Sequence, residues 1–345
     1  MKIFILIVFS VLAFTSKAQL GGSHTYGFLE LTNSSRIAAL GGNYLSINDD
    51  DITLVYANPA LITKEMSTKF ALNYLNYFSD INAGFVSYGQ HFEKAGTFVA
   101  SLQFINYGTF QETDVAGNKM GSFKAGEYAM TVGWSKQLWE NIALGVNLKN
   151  IYSNLDKYTS YGIAADVAAN YKNDPNHFSA SLIFANIGRQ ITTYTNGDRE
   201  PIPFNIKFGV SKKFEHAPLR IIILADNLQQ WDLTYTDPSI PVEKDPFTGE
   251  IIDTKKGWDF GDKLARHIAV GGEFAPGKGN FALRLGYNYR RREEMKIASR
   301  RAMVGFSWGF GFKVYKIHLS YARATYSLAG ATNHITITTH LSDFL

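Results

Sequence analysis

The chain has 345 residues, no cysteine and a formal net charge of +4. A charge this small on a chain this long gives no support for a nucleic-acid partner, and the lack of cysteine excludes a disulfide-stapled scaffold. Charged residues are 19% of the chain, below the roughly 25% usual for soluble domains, while Phe and Tyr number 25 and 19.

The first 18 residues have the pattern of a secretory signal peptide. Met1-Lys2 supplies a basic start, residues 3–14 are almost entirely apolar, and Ser16 and Ala18 are the small residues before a cut at Gln19. An apolar run of about 12 residues is too short for a membrane-spanning helix. We therefore expect the chain to leave the cytoplasm.

Residues 19–66 do not alternate in hydropathy and precede the first predicted strand. They contain three aspartates, Asp49 to Asp51, ahead of an apolar run that ends at Asn58-Pro59. A short helix over residues 52–56, capped by Asp49 or Asp50, is the favoured interpretation. A calcium loop is the alternative, although Leu54 and Ala60 stand where an EF-hand would need Gly and Glu. We predict no metal site here.

From residue 67 onward the chain alternates with a period of two, which indicates β-strands with one apolar and one polar face. Residues 281–290 show this most clearly, with Phe, Leu, Leu, Tyr and Tyr at the odd positions. We predict about 14 strands: 69–78, 81–91, 96–105, 126–137, 141–152, 161–172, 177–187, 203–214, 218–230, 264–274, 280–290, 300–310, 313–324 and 333–342. Strands of 9 to 13 residues are long enough to cross a bilayer at a tilt.

The links between these strands alternate between short and long, apart from a tight link at Ser79-Asp80. Short periplasmic turns opposite longer outside loops are typical of outer-membrane barrels, and strands in lipid must close into a barrel. The predicted fold class is therefore all-β, an antiparallel outer-membrane β-barrel of about 14 strands. The predicted organisation is a signal peptide at 1–18, an N-terminal plug at 19–66 and a transmembrane barrel at 67–345.

Motifs that could carry catalysis are weak. Residues 305–309 read G-x-S-x-G, but they lie in an alternating strand rather than at a strand-to-helix elbow. Residues 272–279 resemble a P-loop with Gly279 in place of the Ser or Thr that holds Mg²⁺. His318 and His340 fall on polar strand faces, where we expect lumenal hydrogen bonds. We predict no catalytic residue and no cofactor, which disfavours an outer-membrane lipase.

The longest link runs from Trp231 to about Lys263 and is predicted to be extracellular. It carries four aromatic residues of the type that anchors protein interfaces, namely Trp231, Tyr235, Phe247 and Trp258. We predict that they bind a partner, and a lid over the barrel mouth is the alternative. Basic residues 290–292 are candidates for contact with lipopolysaccharide phosphates, with plain solvation as the alternative.

Short motifs in the N-terminal half resemble the PorV/PorQ family of the type IX secretion system. They are Gly-Phe-Leu-Glu-Leu at 27–31, Ser34-Ser35-Arg36, the stretch at 38–42 and Asn58-Pro59-Ala60-Leu61, followed later by Leu224-Ala225-Asp226-Asn227-Leu228 and Trp231-Asp232-Leu233.

The resemblance implies a barrel similar to the long-chain fatty-acid transporter FadL, with 14 strands and an N-terminal plug. It also implies a role without catalysis, in which the barrel anchors a PorZ-type surface protein in an attachment complex with the sortase PorU and the shuttle PorV. The alternative function is a FadL-like channel for small hydrophobic compounds.

Overall fold

A computed structural model describes residues 24–78, 80–195, 197, 199–234, 260–277, 280–295, 303–327 and 330–344. The predicted signal peptide lies outside these residues. No helix in this part of the chain is long and apolar enough to cross a membrane.

The described residues contain fourteen strands that close into one antiparallel barrel, which confirms the predicted fold class. Each strand pairs with its neighbours in sequence, and β1 closes the barrel on β14 with Lys69 opposite His340. The strands are β1 Lys69–Asn76, β2 Asn82–Phe92, β3 Gly96–Thr113, β4 Lys119–Trp139, β5 Ile142–Leu155, β6 Tyr158–Asn173, β7 Phe178–Thr192, β8 Asn205–Lys213, β9 Leu219–Ala225, β10 Ile268–Phe274, β11 Phe281–Asn288, β12 Phe306–Val314, β13 Ile317–Ser327 and β14 Gly330–His340.

The two faces of the strands differ as the period of two predicts. Along β6, Tyr161, Ile163 and Val167 are exposed on the outside, whereas Ala164 and Asp166 are buried inside. Large apolar side chains therefore cover the outer wall. Two sets of aromatic residues mark the ends of this belt: Tyr74, Tyr128, Tyr152, Tyr161 and Phe306 at one end, and Phe92, Trp139, Tyr171, Phe214, Phe274, Phe281 and Phe312 at the other.

A closed barrel with an apolar outer belt and aromatic girdles is the architecture of an outer-membrane protein. Short turns of two to six residues connect the strands at one end, which we assign to the periplasm. The three longest links, 193–204, 226–267 and 289–305, all lie at the other end. The protein is an outer-membrane barrel.

Several predicted strand bounds are wrong. Residues 226–230 and 264–267 were predicted as strand, but β9 ends at Ala225 and β10 begins at Ile268. The described residues contain three short α-helices, α1 Ser35–Ala39, α2 Phe260–Arg266 and α3 Tyr289–Met295, and the last two fill parts of the long links. β9 ends because Asn227, with a φ of +56°, leaves the extended conformation that a strand requires.

The turn predicted at Gly311-Phe312 is also wrong, because both residues belong to β12 and the turn follows at Tyr315, whose φ is +56°. Gly311 faces the lumen, and a Cβ there would lie 2.9 Å from an Arg284 Nη atom. The glycine makes room for a buried arginine rather than for a turn.

The predicted long link at 106–125 is mostly strand. β3 and β4 extend beyond their other neighbours and pair with each other from Thr109 opposite Lys124 to Thr113 opposite Lys119. β2 pairs with β3 only as far as Asn106, and β5 pairs with β4 only as far as Ala125. Residues 107–124 therefore form a two-stranded ribbon that projects from the outer end.

Candidate functional site: the filled lumen

The N-terminal segment, residues 24–68, lies inside the barrel. It contains the short helix α1, Ser35–Ala39, and 3₁₀ turns at Gly27–Glu30, Ile52–Leu54, Pro59–Leu61 and Lys64–Met66. Most of its apolar side chains are buried, and they form two clusters with the inward-facing residues of the strands.

Glycines on the inner wall let the backbone of this segment approach closely. A Cβ on Gly286 would lie 2.3 Å from the backbone N of Gly41, and one on Gly145 would lie 2.2 Å from the carbonyl carbon of Pro59. No larger residue fits without moving the backbone, since real Cβ atoms keep well over 3 Å from such atoms. The small residues on the polar strand faces thus form the surface against which the backbone of the segment packs.

A cluster of six charged side chains holds the segment at the periplasmic end of the lumen, and we call it the inner charge network. It consists of Arg36, Asp49 and Asp51 of the segment and Arg220, Glu273 and Arg284 of β9, β10 and β11. Three cations and three carboxylates balance one another.

Arg36 is the centre of the inner charge network and makes five hydrogen bonds. Its Nε and Nη2 donate to the two oxygens of Glu273 at 2.9 and 2.8 Å, and Nη1 and Nη2 donate to the two oxygens of Asp49 at 3.0 and 2.6 Å. The fifth bond joins Nη1 to Asp51 at 3.0 Å. All five guanidinium N–H groups therefore donate a hydrogen bond. The planar guanidinium of arginine can bond several carboxylates at once because its five donors point outward in fixed directions.

Glu273 receives two further arginines from the wall. Nη1 of Arg220 donates to its Oε1 at 3.0 Å, and Nε of Arg284 donates to its Oε2 at 2.8 Å. Glu273 is 4% exposed and Arg36 8% exposed, so removing either one leaves the buried network with one unbalanced charge. Breaking a buried pair in this way costs about 3–5 kcal/mol.

The three aspartates have different roles, and the predicted cap is wrong by one or two residues. Asp51 caps the turn Ile52–Leu54, because its Oδ1 accepts from the Thr53 N–H at 3.0 Å. Asp50 has a φ of +58° and accepts from the Thr63 hydroxyl at 2.7 Å. In the part of the chain that the structure describes, no group of His, Asp and Glu has an arrangement suited to a metal ion.

A second set of polar contacts fixes the middle of the segment. Asn58 donates to the Leu45 carbonyl at 3.1 Å and to the Ser181 hydroxyl at 2.9 Å, and Ser46 also bonds Ser181 at 2.8 Å. Asn58 is the residue before the turn Pro59–Leu61, so one side chain joins the backbone of the segment to β7. This role explains the Asn-Pro pair seen in the sequence.

A buried lysine lies beside these contacts. Nζ of Lys149 is 2.8 Å from Asp166 and donates to Asn186 at 2.8 Å, and it lies 4.8 Å from the centre of the Tyr56 ring. Asp166 also accepts from the backbone N–H of Asn186, whose φ is +57°. The pair therefore stabilises the bulge between β6 and β7 from inside the barrel.

The outer half of the lumen is apolar and aromatic, and we call it the outer cluster. Tyr26, Phe28 and Leu29 of the segment are buried against small and branched residues of the wall. Its wall members are Leu75, Ala83, Ile105, Ala129, Ile151 and Ala164, and Ile202 of the link 193–204 joins them. Five residues pack against the cluster while remaining partly exposed, namely Leu31, Tyr77, Ile81, Tyr107 and Tyr194.

The outer cluster has few polar contacts. The hydroxyl of Tyr26 lies 2.5 Å from Ser160, and the hydroxyl of Tyr107 donates to Glu127 at 2.5 Å. Tyr194 donates to Ser153 at 2.7 Å. The tyrosines thus present ring faces to the cluster and satisfy their hydroxyl groups at its edge.

The predicted partner-binding residues can be followed only in part. Trp231 is half exposed, and its ring lies 5.2 Å from the Phe260 ring and 5.7 Å from the His267 ring. It therefore packs on the base of the long link, beside α2. Tyr235, Phe247 and Trp258 lie outside the described residues.

Ser307 of the G-x-S-x-G stretch has a structural role, whereas Gly279 of the P-loop-like stretch lies outside the described residues. Ser307 is buried in β12 and donates to the Ala39 carbonyl at 3.1 Å. His340 lies beside Thr68 at 3.3 Å, and His318 pairs in register with Thr338.

Sequence reasoning missed Glu273, Arg284 and Arg220 as lumenal residues of interest. The one available signal was the position of Glu273 and Arg284 among small residues on the polar faces of predicted strands. Nothing in the sequence indicates that they meet Arg36, which is 237 positions away from Glu273.

The chain matches no family model, and no curated protein is significantly similar to it. Its structure is similar to the toluene transporter TbuX of Ralstonia pickettii, with a TM-score of 0.49 and 9% identity over 90% of this chain and 97% of that one. The Pseudomonas putida toluene transporter TodX gives a TM-score of 0.49 and 11% identity over 90% and 97%. A Pseudomonas aeruginosa FadL homologue gives 0.45 and 12% over 90% and 98%.

At such low identity and TM-score the likeness carries no functional argument, and the barrel architecture of this chain rests on its own strand pairing. These comparisons give no support to the PorV/PorQ resemblance, which stays a prediction.

Proposed function

We propose that this protein is a non-enzymatic outer-membrane transporter of small hydrophobic compounds, in which the N-terminal segment closes the lumen and moves to let a solute pass. The observation that carries the proposal is the outer cluster. An apolar solute entering from the outer end meets Leu31, Ile81 and the tyrosine rings rather than a water-filled polar channel. Apolar walls with a few polar groups at the edge are typical of sites for such compounds.

The N-terminal segment blocks the path of a solute through the lumen. Phe28 and Leu29 are buried in the outer cluster, and the inner charge network fixes the other half of the segment. Passage through the whole lumen therefore requires both halves of the segment to separate from the wall, including the contacts of Ser46 with β7. A covalent lock between segment and wall tests this requirement directly, and the chain has no native cysteine to interfere.

The lock is the double variant Ser46→Cys with Ser181→Cys, whose hydroxyl oxygens are 2.8 Å apart in segment and wall. Uptake of radiolabelled toluene and of decanoate is measured in vesicles with the variant oxidised and then reduced. We expect oxidation to lower the protein-dependent flux at least tenfold and reduction to restore it.

The matched control is Ser87→Cys with Ser101→Cys, which joins β2 to β3 within the wall across a 3.0 Å hydroxyl pair. This lock should leave the flux unchanged. Equal flux through the oxidised and reduced segment lock, or wild-type flux no higher than that of empty vesicles, would contradict the proposal.

The second candidate function is anchoring of a PorZ-type surface protein, together with PorU and PorV, in a type IX secretion attachment complex. The observation that favours it is the projecting ribbon of β3 and β4, on which Phe110, Val115 and Met120 are exposed. Exposed apolar residues on a strand pair with free edges are a surface for a protein partner.

Two deletions separate the ribbon from the long link. Removing residues 109–124 tests the ribbon, and removing residues 238–253 tests the link that carries Tyr235, Phe247 and Trp258. Under the anchoring hypothesis, one deletion releases the surface protein into the medium while the barrel stays heat-modifiable. If the partner stays attached in both, anchoring is wrong.

The segment lock also distinguishes the two candidates, because an anchor retains its partner with the lumen locked. The contact of residues 290–292 with lipopolysaccharide stays a prediction. Arg290 pairs with Glu294 on α3 at 2.7 Å, which neutralises part of this basic patch.

A further inference from the structure

A cleft of about 380 Å³ opens at the periplasmic rim of the barrel, away from the lumenal site. It lies between the turn that follows β6, at residues 174–177, and the turn that follows β8, at residues 214–218. Its basic lining residues are His177, Lys212, Lys213 and His216, and Glu215 is its one acidic residue. Two lysines against one carboxylate give the cleft a positive balance.

Lys212 ends a ladder of lipid-facing residues. On β8 the outward positions are Ile206, Phe208, Val210 and then Lys212. Phe178 of β7 and Ile221 of β9 lie on either side of Lys212 in register. A lysine at such a position extends its ammonium group from the apolar belt toward the headgroup layer.

The ammonium group of Lys212 reaches the cleft. Its Nζ donates to the Asn176 carbonyl at 2.6 Å, on the opposite turn. An ammonium group has three N–H donors, so this bond leaves two for a ligand. Lys213 and His216 lie beside it in the lining of the cleft.

Phe214 adds an apolar floor at the level of the girdle. It is exposed, and it follows Lys212 by two residues on the same outward side. The cleft thus combines positive donors with an aromatic ring, directly below an apolar surface that faces lipid. This combination fits a molecule with an anionic group joined to hydrocarbon chains. A free inorganic anion would contact only the positive donors and would leave the apolar surface unused.

We propose that this cleft binds the phosphate group of a phospholipid from the periplasmic leaflet, with the acyl chains lying against Phe178, Val210 and Ile221. The Lys212 ammonium donates to the phosphate oxygens in charge-assisted bonds, and Lys213, which also lines the cleft, adds positive charge beside it. The site holds a structural lipid at one point of the barrel circumference.

The experiment is native mass spectrometry of the delipidated full-length barrel in detergent. Three probes are added separately: phosphatidylglycerol, diacylglycerol with the same acyl chains, and inorganic phosphate. The test variant is Lys212→Gln with Lys213→Gln. The control variant is Lys94→Gln with Lys136→Gln, which removes two lysines from the same rim at positions outside the cleft.

We expect wild type and control to retain one phosphatidylglycerol tightly and the test variant to bind it at least tenfold more weakly, since each lysine near a headgroup contributes to binding. Lys212→Arg should retain the lipid, because it keeps the charge at the same place.

Three results would overturn the proposal. One is equal retention by the test and control variants. Another is diacylglycerol binding as well as phosphatidylglycerol, which would mean that the phosphate is not recognised. The third is inorganic phosphate displacing the lipid at equal concentration, which would make this a site for free phosphate.

Discussion

The two halves of the lumen hold the N-terminal segment by different means. The inner half uses a charge network in which one arginine, Arg36, bonds to three carboxylates, two from the segment and one from the wall. The outer half uses apolar packing around Phe28 and Leu29, with a few tyrosine hydroxyl bonds at its edge.

The difference matters because the two kinds of contact break differently. A buried charge network is lost as a unit, since each group depends on its partners for solvation. Apolar packing is not directional, so side chains can slide over one another at a smaller cost. The comparison indicates that the inner half is the more firmly held end of the segment and that the outer half separates from the wall first.

The largest effect is expected from Arg36→Met, which removes the arginine that joins Asp49 and Asp51 of the segment to Glu273 of the wall and leaves the network with an excess negative charge. Docking of the segment should weaken by about 3–5 kcal/mol. Maleimide labelling of a Ser46→Cys reporter, buried in the native state, should become much faster. Arg323→Met, at an exposed position on β13, is the control and should leave the rate unchanged. If Arg36→Met labels no faster than the control, the inner charge network does not hold the segment in place.

A smaller effect is expected from Gly286→Ala, whose new Cβ would lie 2.3 Å from the Gly41 backbone N. Overpacking of this kind costs about 1–3 kcal/mol, and labelling of the same Ser46→Cys reporter should rise accordingly. Gly272→Ala on the adjacent strand is the control, because its Cβ would meet nothing within 4 Å. Similar labelling rates for the two variants would show that the backbone contact at Gly41 is dispensable.

The outer half should respond less to loss of a single contact. Tyr26→Phe removes the bond to Ser160 and should weaken local docking by about 0.5–1.5 kcal/mol. A Thr32→Cys reporter, buried in the native state, should label somewhat faster, while Ser46→Cys should not change. Tyr158→Phe, at an exposed position on β6, is the control. Equal acceleration at both reporters would mean that the halves move together.

The smallest effect concerns the base of the long link, outside the lumen. The Lys263 ammonium, which bonds Asp232 at 2.7 Å, and the Thr234 hydroxyl lower the pKa of Asp232 to about 2, from an ordinary value of 3.8. A lowered pKa means that the contact contributes above about pH 4 and is lost as the pH falls toward 2.

The neighbouring Trp231 can report this local change through its fluorescence, once the other four tryptophans are replaced by Phe. A transition between pH 4 and 2 is expected, and Asp232→Asn should abolish it. A transition that persists in Asp232→Asn would assign it to another group.

Much of the wall could be predicted from the sequence, and most of the lumenal contacts could not. The alternation of strands such as residues 281–288 is visible because side chains of a strand point to opposite faces in turn. The ends of strands are harder to predict from the sequence than their existence. At Gly311, for example, a glycine that leaves space for the Arg284 side chain cannot be distinguished in the sequence from a glycine in a turn.

The sequence by itself determined that this chain is an outer-membrane barrel of fourteen strands, because period, strand length and link length are local properties of the chain. Only the tertiary structure decided which groups meet inside. Barrel closure brings Glu273, Arg220 and Arg284 around Arg36 from strands far away in the chain. Charge balance and burial in the lumen depend on that three-dimensional arrangement, and no local pattern records it.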